Sequence, residues 1–159
     1  MATVAVAAQF ESGTASSTPV NRMAIALLAL IGLLVSLYMS AYTLGIISSI
    51  MCGTGGCERV QNSPWAEFLG MPVPFIGLVG YGALFLLALL GLQPPFGDDR
   101  RLPALILAGA TVGLLFSAYL TYLEAAVIQA WCRWCIVSAV LATLVFLAAL
   151  PELRRLRKS

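Results

Sequence analysis

The sequence predicts an all-α membrane protein built as a bundle of four transmembrane helices. Of its 159 residues, 60% are hydrophobic and only 10% are charged, whereas soluble domains carry about 25% charged residues. Four stretches are apolar over about 18 residues or more, which lets a helix cross a hydrocarbon core of about 30 Å. Because a helix satisfies its own backbone hydrogen bonds, it is the expected form of each stretch.

Each predicted helix corresponds to one apolar stretch. The four stretches are residues 23–50, 74–92, 103–129 and 132–151. No small-residue cleavage site closely follows the first, so we expect a retained anchor rather than a removed signal peptide. Pro94-Pro95 ends the second, and Pro103 stands at the favoured first turn of the third. We therefore expect a four-helix domain at residues 21–151, between a disordered cytoplasmic tail at 1–20 and a basic cytoplasmic tail at 152–159.

The positive charges predict the orientation. Seven lie on one side of the four-helix arrangement: Arg22, Arg100, Arg101, Arg154, Arg155, Arg157 and Lys158. Only Arg59 and Arg133 lie on the other side, and short loops rich in Lys and Arg stay cytoplasmic. We expect a multi-pass protein of the cell inner (plasma) membrane, in contact with lipid, with both termini cytoplasmic. The basic C-terminal run is interpreted as a topology anchor, not as a nucleic-acid-binding segment.

The four cysteines form two pairs that share the predicted outer face, where disulfides persist. Cys52 and Cys57 lie in the first outer loop, separated by the glycine-rich segment 53–56, which is flexible enough to let their sulfurs meet and separate. Cys132 and Cys135 begin the fourth helix. Their three-residue spacing puts both sulfurs on one helical face, and a helix N-terminus stabilises the thiolate that attacks disulfides.

Other uses of four cysteines remain open at this point. Two structural disulfides could hold the outer loops of a small membrane scaffold, although a glycine-rich loop suits that role poorly. Four thiolates could bind zinc, but these pairs flank apolar helices rather than ordered knuckles, so no metal site is expected. A lipid on Cys52 would need a better cleavage residue than Met51 before it. The chain has no histidine, which excludes His-based catalysis and His-ligated haem.

Two motifs resemble the vitamin K epoxide reductase family. The segment from Cys57 to Trp65, with Ser63 six residues after the cysteine, is similar to the family's loop after the first helix. The run from Tyr119 to Glu124 followed by Ala130-Trp131-Cys132-Arg133-Trp134-Cys135 is similar to the third-helix end and redox motif of bacterial members. The resemblance covers about residues 25–150.

The resemblance implies a quinone held near the outer face beside Cys135 and shielded by a short interfacial helix. Residues 60–69 fit that helix, because Val60, Trp65, Phe68 and Leu69 recur at roughly helical spacing; an ordinary apolar loop is the alternative. The implied quinone is ubiquinone or menaquinone, since an apolar pocket distinguishes head groups poorly. The candidate quinone-binding residues are Cys135, Ser63, Phe75 and Ser138.

The resemblance also implies roles for the cysteines. Cys52 would exchange with the thiols of a thioredoxin-like or DsbA-like protein outside the cytoplasm, and Cys57 would attack the Cys132–Cys135 disulfide at Cys132. Cys135 would then reduce the quinone. Ser63 would hydrogen-bond in the loop or near the quinone, unless it only caps a turn. Glu124 also matches the family, although it could be a solvated residue at a helix end.

Two departures narrow the expected activity. The asparagine and tyrosine that bind the naphthoquinone oxygens in animal epoxide reductases are replaced by Val73 and Ala139, so epoxide reduction is the alternative and thiol oxidation the main expectation.

The spacing between Cys52 and Cys57 is also shorter than in relatives. In DsbB-type oxidases the Cys-x-x-Cys pair follows the first helix, whereas here it follows the third. The sequence therefore predicts a quinone-dependent thiol oxidase that supports disulfide formation.

Overall fold

Four long helices make up most of the computed structural model, which describes residues 17–53 and 56–158. The long helices are α1 (Ser17–Thr43), α3 (Val73–Leu92), α4 (Arg101–Tyr122) and α5 (Arg133–Lys158), and α2 (Gly56–Gln61) is a short helix between the first two. Each long helix is long and apolar enough to cross a membrane. The predicted four-helix membrane bundle is confirmed. Most of the predicted N-terminal tail, residues 1–16, lies outside the described residues.

Helix α1 ends at Thr43, so the prediction that it continues to residue 50 is wrong. Gly45 adopts a left-handed conformation with φ 74°, which glycine reaches without steric cost. The Ile46 N–H then donates to the Ala41 carbonyl at 3.0 Å, and the Gly45 N–H donates to the Tyr42 carbonyl at 2.9 Å. These two bonds form a Schellman cap that satisfies the last carbonyls of the helix. The hydropathy pattern did not indicate that the helix ends here, because residues 46–50 are also mostly apolar.

The first outer loop contains a short helix, but not at residues 60–69 as predicted. Helix α2 ends at Gln61, and a 3₁₀ turn (Pro64–Ala66) leads into strands β1 (Glu67–Phe68) and β2 (Met71–Pro72). Proline disfavours helical geometry in the residue before it and lacks an N–H, so the helix cannot continue through Ser63. Leu69 and Gly70 have φ 53° and 79°, the positive values of a two-residue hairpin turn.

Helix α4 continues without a break into a π-helical turn, Leu123–Ile128. Gln129 then adopts a left-handed conformation with φ 54°, and its N–H donates to the Glu124 carbonyl. The Ala130 N–H donates to the same carbonyl at 3.2 Å. The chain therefore turns within a few residues and enters α5 directly. Such π-helical turns are uncommon and frequently lie at functional sites.

The core of the bundle is made mainly of small and branched apolar residues. One buried cluster joins all four long helices: Ile25, Ala26, Ala29, Leu84, Ala88, Ile106, Ala110, Val145 and Ala149. Small residues let helix backbones approach closely in a membrane, where the hydrophobic effect does not drive helix association. At Gly32 of α1, an added Cβ would overlap the ring of Tyr81 from α3. Glycine at this position therefore allows α1 and α3 to pack with the tyrosine ring between them.

A buried ion pair closes the bundle at the end away from the cysteines. Arg22, 2% exposed, and Glu152, 1% exposed, form two hydrogen bonds of 3.1 and 3.3 Å. Arg22 also donates to the carbonyls of Gly91 at the end of α3 and of Gly97 in the following loop. The sequence indicated only a topology charge at Arg22 and a basic tail at 152–159. The structure continues α5 through this segment to Lys158 and buries Glu152 within it.

Candidate redox site

Cys52 and Cys57 form a disulfide with a Cα–Cα distance of 5.9 Å. Both are buried, at 2% and 0% exposure. Their pairing, which the sequence left open, is thus established within the outer loop, while Thr54 and Gly55 of the predicted flexible segment lie outside the described residues. Met51 beside Cys52 is 82% exposed. The disulfide therefore lies just beneath the surface of the loop.

The backbone of Met51 is held from two helices. Its N–H donates to the Tyr38 hydroxyl of α1 at 3.1 Å, and its carbonyl accepts from the Trp134 indole N–H of α5 at 3.3 Å. The rings of Tyr38 and Trp134 pack with centroids 5.1 Å apart. In the sequence, Trp134 stood out only as part of the motif between Cys132 and Cys135, and Tyr38 was not identified. Together the two side chains fix the approach of Cys52 to the start of α5.

The two cysteine pairs meet in one buried cluster. It contains Met39, Ile50, Cys52, Cys57, Val60, Ala130 and Cys132. At Gly56, the first residue of α2, an added Cβ would overlap the carbonyl oxygen of Trp131. Helix α2, which carries Cys57 in its first turn, therefore lies directly on the segment that leads into Cys132. Both pairs therefore lie at the same end of the bundle.

Cys132 and Cys135 are both free thiols in this structure. Cys132 is fully buried and precedes the first turn of α5, where its carbonyl accepts from the Ile136 N–H at 3.0 Å. The Cys135 N–H lies 3.4 Å from the Cys132 sulfur. A hydrogen bond from the Cys135 thiol lowers the pKa of Cys132 below its ordinary value. The inner pair is thus a dithiol in which the deprotonated form of Cys132 is stabilised.

Glu124 lies beside this dithiol and is only 3% exposed. Its Oε2 accepts the backbone N–H of Cys132 at 3.0 Å, and it lines the same cavity as Cys135. The π-helical turn directs the side chain inward at a position where residue spacing alone indicated a helix end near water. The interpretation of Glu124 as a solvated end residue is therefore wrong.

A cavity of about 640 Å³ lies between the four long helices and reaches Cys135. Its walls are mostly apolar, and the polar side chains among them include Ser36, Tyr81, Glu124, Cys135 and Ser138. Pockets for small organic ligands usually measure about 300 to 1,000 Å³. The dithiol thus opens through Cys135 into a space of ligand size within the bundle.

The predicted quinone-binding residues fall into two groups. Cys135 and Ser138 line the cavity, whereas Ser63 and Phe75 are not among its lining residues. The Ser63 hydroxyl donates to the Val60 carbonyl at 2.7 Å, the bond of a turn-capping serine. Val73 and Ala139, the apolar replacements noted in the sequence, both line the cavity.

Tyr81 is a cavity residue that sequence reasoning missed. Its hydroxyl donates to the Ser138 carbonyl at 2.7 Å and lies 3.0 Å from the Ser138 hydroxyl. A tyrosine in the middle of an apolar helix was the available signal, because a buried phenol needs a hydrogen-bond partner. The pair joins α3 to α5 at the cavity wall.

The chain thus falls in the class of four-helix membrane proteins that carry a disulfide and a neighbouring pair of free thiols at one end of the bundle. Within that class, the chain belongs to the vitamin K epoxide reductase family, whose model matches residues 23–150. The chain is also 34% identical over 113 residues to the thiol-disulfide oxidoreductase LTO1 of Arabidopsis thaliana. That alignment covers 67% of this chain and 30% of LTO1, so the chain spans less than a third of that relative's length. The predicted family membership is confirmed.

Proposed function

We propose that this protein is a quinone-dependent thiol oxidase that reoxidises a soluble thioredoxin-like or DsbA-like protein and so supports disulfide formation outside the cytoplasm. One observation carries the proposal. Cys132 is buried in the same cluster as the outer disulfide, while Cys135 lines the cavity inside the bundle. The inner pair therefore touches the outer pair on one side and a ligand-sized space on the other.

The outer pair exchanges with the soluble protein. A thiolate of that protein attacks Cys52, and its second thiol resolves the mixed disulfide, so that the partner becomes oxidised and Cys52 and Cys57 become thiols. The 82% exposure of Met51 supports Cys52 as the point of attack, because the residue next to it already reaches the surface. The name of LTO1, a thiol-disulfide oxidoreductase, supports the same chemistry.

The inner pair takes the electrons from the outer pair. Cys57 attacks Cys132 of the Cys132–Cys135 disulfide, Cys135 leaves as a thiolate, and Cys52 then resolves the Cys57–Cys132 bond. The outer pair returns to a disulfide and the inner pair becomes a dithiol. This distribution, an outer disulfide with free thiols at Cys132 and Cys135, is the one present in the structure.

The cavity residues fit a quinone as the oxidising substrate. The walls are apolar, as an isoprenoid quinone requires, and Cys135 lies at the wall with the Ser138 hydroxyl nearby. A quinone accepts two electrons and two protons, the number that two thiols release when they form a disulfide. Ubiquinone and menaquinone both suit such walls. For Ser63 and Phe75, which are not among the cavity-lining residues, a role in quinone binding is proposed from the family resemblance alone.

The proposed location is the inner (plasma) membrane, with both termini cytoplasmic and the cysteine pairs outside. The unequal distribution of Lys and Arg supports this orientation. Vitamin K epoxide reduction is the alternative within the family. The apolar side chains of Val73 and Ala139 at the cavity wall favour plain quinone reduction, since they offer no donor to an epoxide oxygen.

The test is quinone reduction by the purified chain in lipid nanodiscs with a reduced thioredoxin-like protein as donor. Cys135→Ala should abolish the loss of quinone absorbance, because the cavity then loses its only thiol among the described residues. Thr111→Ala is the matched control, since the Thr111 hydroxyl donates to the Leu107 carbonyl of its own helix and Thr111 is not among the residues that line this cavity. If the protein were instead a scaffold with two structural disulfides, the wild type would reduce no quinone and Cys135→Ala would only lower the stability. That result would reject the proposal.

A further inference from the structure

The structure buries two carboxylates among its described residues, and they differ in their partners. Glu152 is paired with the guanidinium of Arg22. Glu124 forms no ion pair within the described part of the chain; its carboxylate accepts the Cys132 N–H at 3.0 Å. Isolated buried charges are costly, and ionisable residues inside membrane helices usually serve a function. The position of Glu124 therefore indicates a functional role in addition to packing.

The contacts of Glu124 single out the inner dithiol. The titratable groups that face its carboxylate are the thiols of Cys132 and Cys135, both from the start of α5. The phenol of Tyr81, which lines the same cavity from α3, is bonded to Ser138 instead. Glu124 itself lines the cavity. One carboxylate thus contacts the backbone of the dithiol at Cys132 and lines, together with Cys135, the space proposed for the substrate.

We propose that Glu124 is a catalytic base that takes the proton of the Cys135 thiol and passes it to a quinone oxygen in the cavity. The inference rests on the proposed function. The role is distinct from the backbone contact to Cys132, which an uncharged amide oxygen could also make. General acid–base groups must lie within hydrogen-bond reach of the proton that they move. Glu124 is bonded to the Cys132 N–H of the dithiol and lines the same cavity as Cys135, which places its carboxylate on the side from which the Cys135 thiol is reached.

The protons and electrons balance. Cys132 and Cys135 form an S–S bond and together lose two electrons and two protons, and the quinone gains the same numbers to become a quinol. The proton of Cys135 travels through Glu124, which returns to its carboxylate form after each turnover. The proton of Cys132 is exchanged with the outer aqueous side, from which the second quinol proton comes. No further oxidant or reductant is required.

The experiment compares wild type, Glu124→Gln and Glu124→Asp as full chains in nanodiscs. Each is first reduced by a soluble thiol, and then quinone reduction is followed in a single turnover over a range of pH. Glu124→Gln keeps an oxygen for the Cys132 N–H but cannot accept a proton, so its rate should fall about 10²- to 10⁴-fold. Its rate should also no longer fall at acidic pH, because no carboxylate is left at this position to become protonated. Glu124→Asp should keep this fall in rate at acidic pH, the acidic limb of the profile, with a lower rate overall.

Exchange between the outer pair and the soluble thiol, measured without quinone, reports folding independently and should be unchanged in both variants. A purely structural Glu124 would leave the acidic limb in Glu124→Gln, and that result overturns the proposal. If neither variant folds, the wild-type profile decides, because a rate without an acidic limb excludes a carboxylate base. A wild type that reduces no quinone at any pH would instead reject the proposed function itself, so the two failures are distinguishable.

Discussion

Arg22 and Glu152, 130 positions apart in the chain, form a buried pair with two hydrogen bonds at the end of the bundle opposite the cysteines. Because Arg22 also donates to carbonyls at the end of α3 and in the loop after it, the pair ties the start of α1 to three other segments. Polar groups that satisfy one another in this way are stable only as a complete set.

The first prediction concerns this pair. Arg22→Met leaves Glu152 buried without a cation and should lower the free energy of unfolding by about 3 to 5 kcal/mol. The double variant Arg22→Met/Glu152→Met removes both charges and should be clearly more stable than the single variant. Thermal unfolding in detergent measures both. Equal stability of the single and double variants would show that the charges do not stabilise one another.

The second prediction concerns the contact between α2 and the segment before Cys132. Gly56→Ala places a methyl group against the backbone carbonyl of Trp131, which cannot move aside as a side-chain end would, so stability should fall by about 1 to 3 kcal/mol. Gly113→Ala is the matched control, because an added Cβ there meets nothing within 4 Å. A Gly56→Ala protein as stable as the control would contradict the close packing of α2.

The third prediction concerns the ionisation of Cys132. In Cys135→Ser and Cys135→Ala, Cys132 is the one cysteine outside the outer disulfide. Only serine keeps a donor for the hydrogen bond that lowers the pKa of Cys132. Since that bond favours the deprotonated form, the thiolate absorbance should persist to lower pH in Cys135→Ser than in Cys135→Ala. Identical ultraviolet titrations would assign the low pKa to another cause.

The fourth prediction concerns the relay between the pairs. In Cys52→Ala/Cys135→Ala, only Cys57 and Cys132 are left, and the proposed attack of Cys57 on Cys132 predicts that mild oxidation joins them in one disulfide. Cys57→Ala/Cys135→Ala is the control, in which Cys52 and Cys132 should join far more slowly. Peptide mapping by mass spectrometry measures the bonds. Faster bonding in the control would reverse the order of the outer pair.

The fifth prediction concerns the hydrogen bond between α3 and α5. Tyr81→Phe removes the phenol that bonds Ser138 and should lower stability by about 0.5 to 1.5 kcal/mol. The ring itself stays in its place against Gly32, so the cavity keeps its shape. Thermal unfolding gives the stability change, and no change beyond error would mean that the bond is replaced by water.

Much of the architecture followed from the chain of residues alone, because crossing a membrane imposes simple rules. A run of about 20 apolar residues must form a helix, so the number and order of the long helices were predictable. The motifs around Cys57 and Cys132 were equally local, and they predicted the family. Helix ends were harder to predict, because the Schellman cap at Gly45 and the break at Pro64 depend on backbone geometry within a stretch of uniform hydropathy.

Composition and spacing are enough to define a four-helix membrane bundle with two cysteine pairs and no histidine. The contacts between particular groups depend on how the helices pack. The burial of Glu124 against Cys132 and Cys135 depends on a π-helical turn, the bond of Tyr81 to Ser138 on the approach of α3 to α5, and the Arg22–Glu152 pair on bringing the two ends of the chain together. Such contacts join residues of different helices, and no local pattern records the geometry between helices.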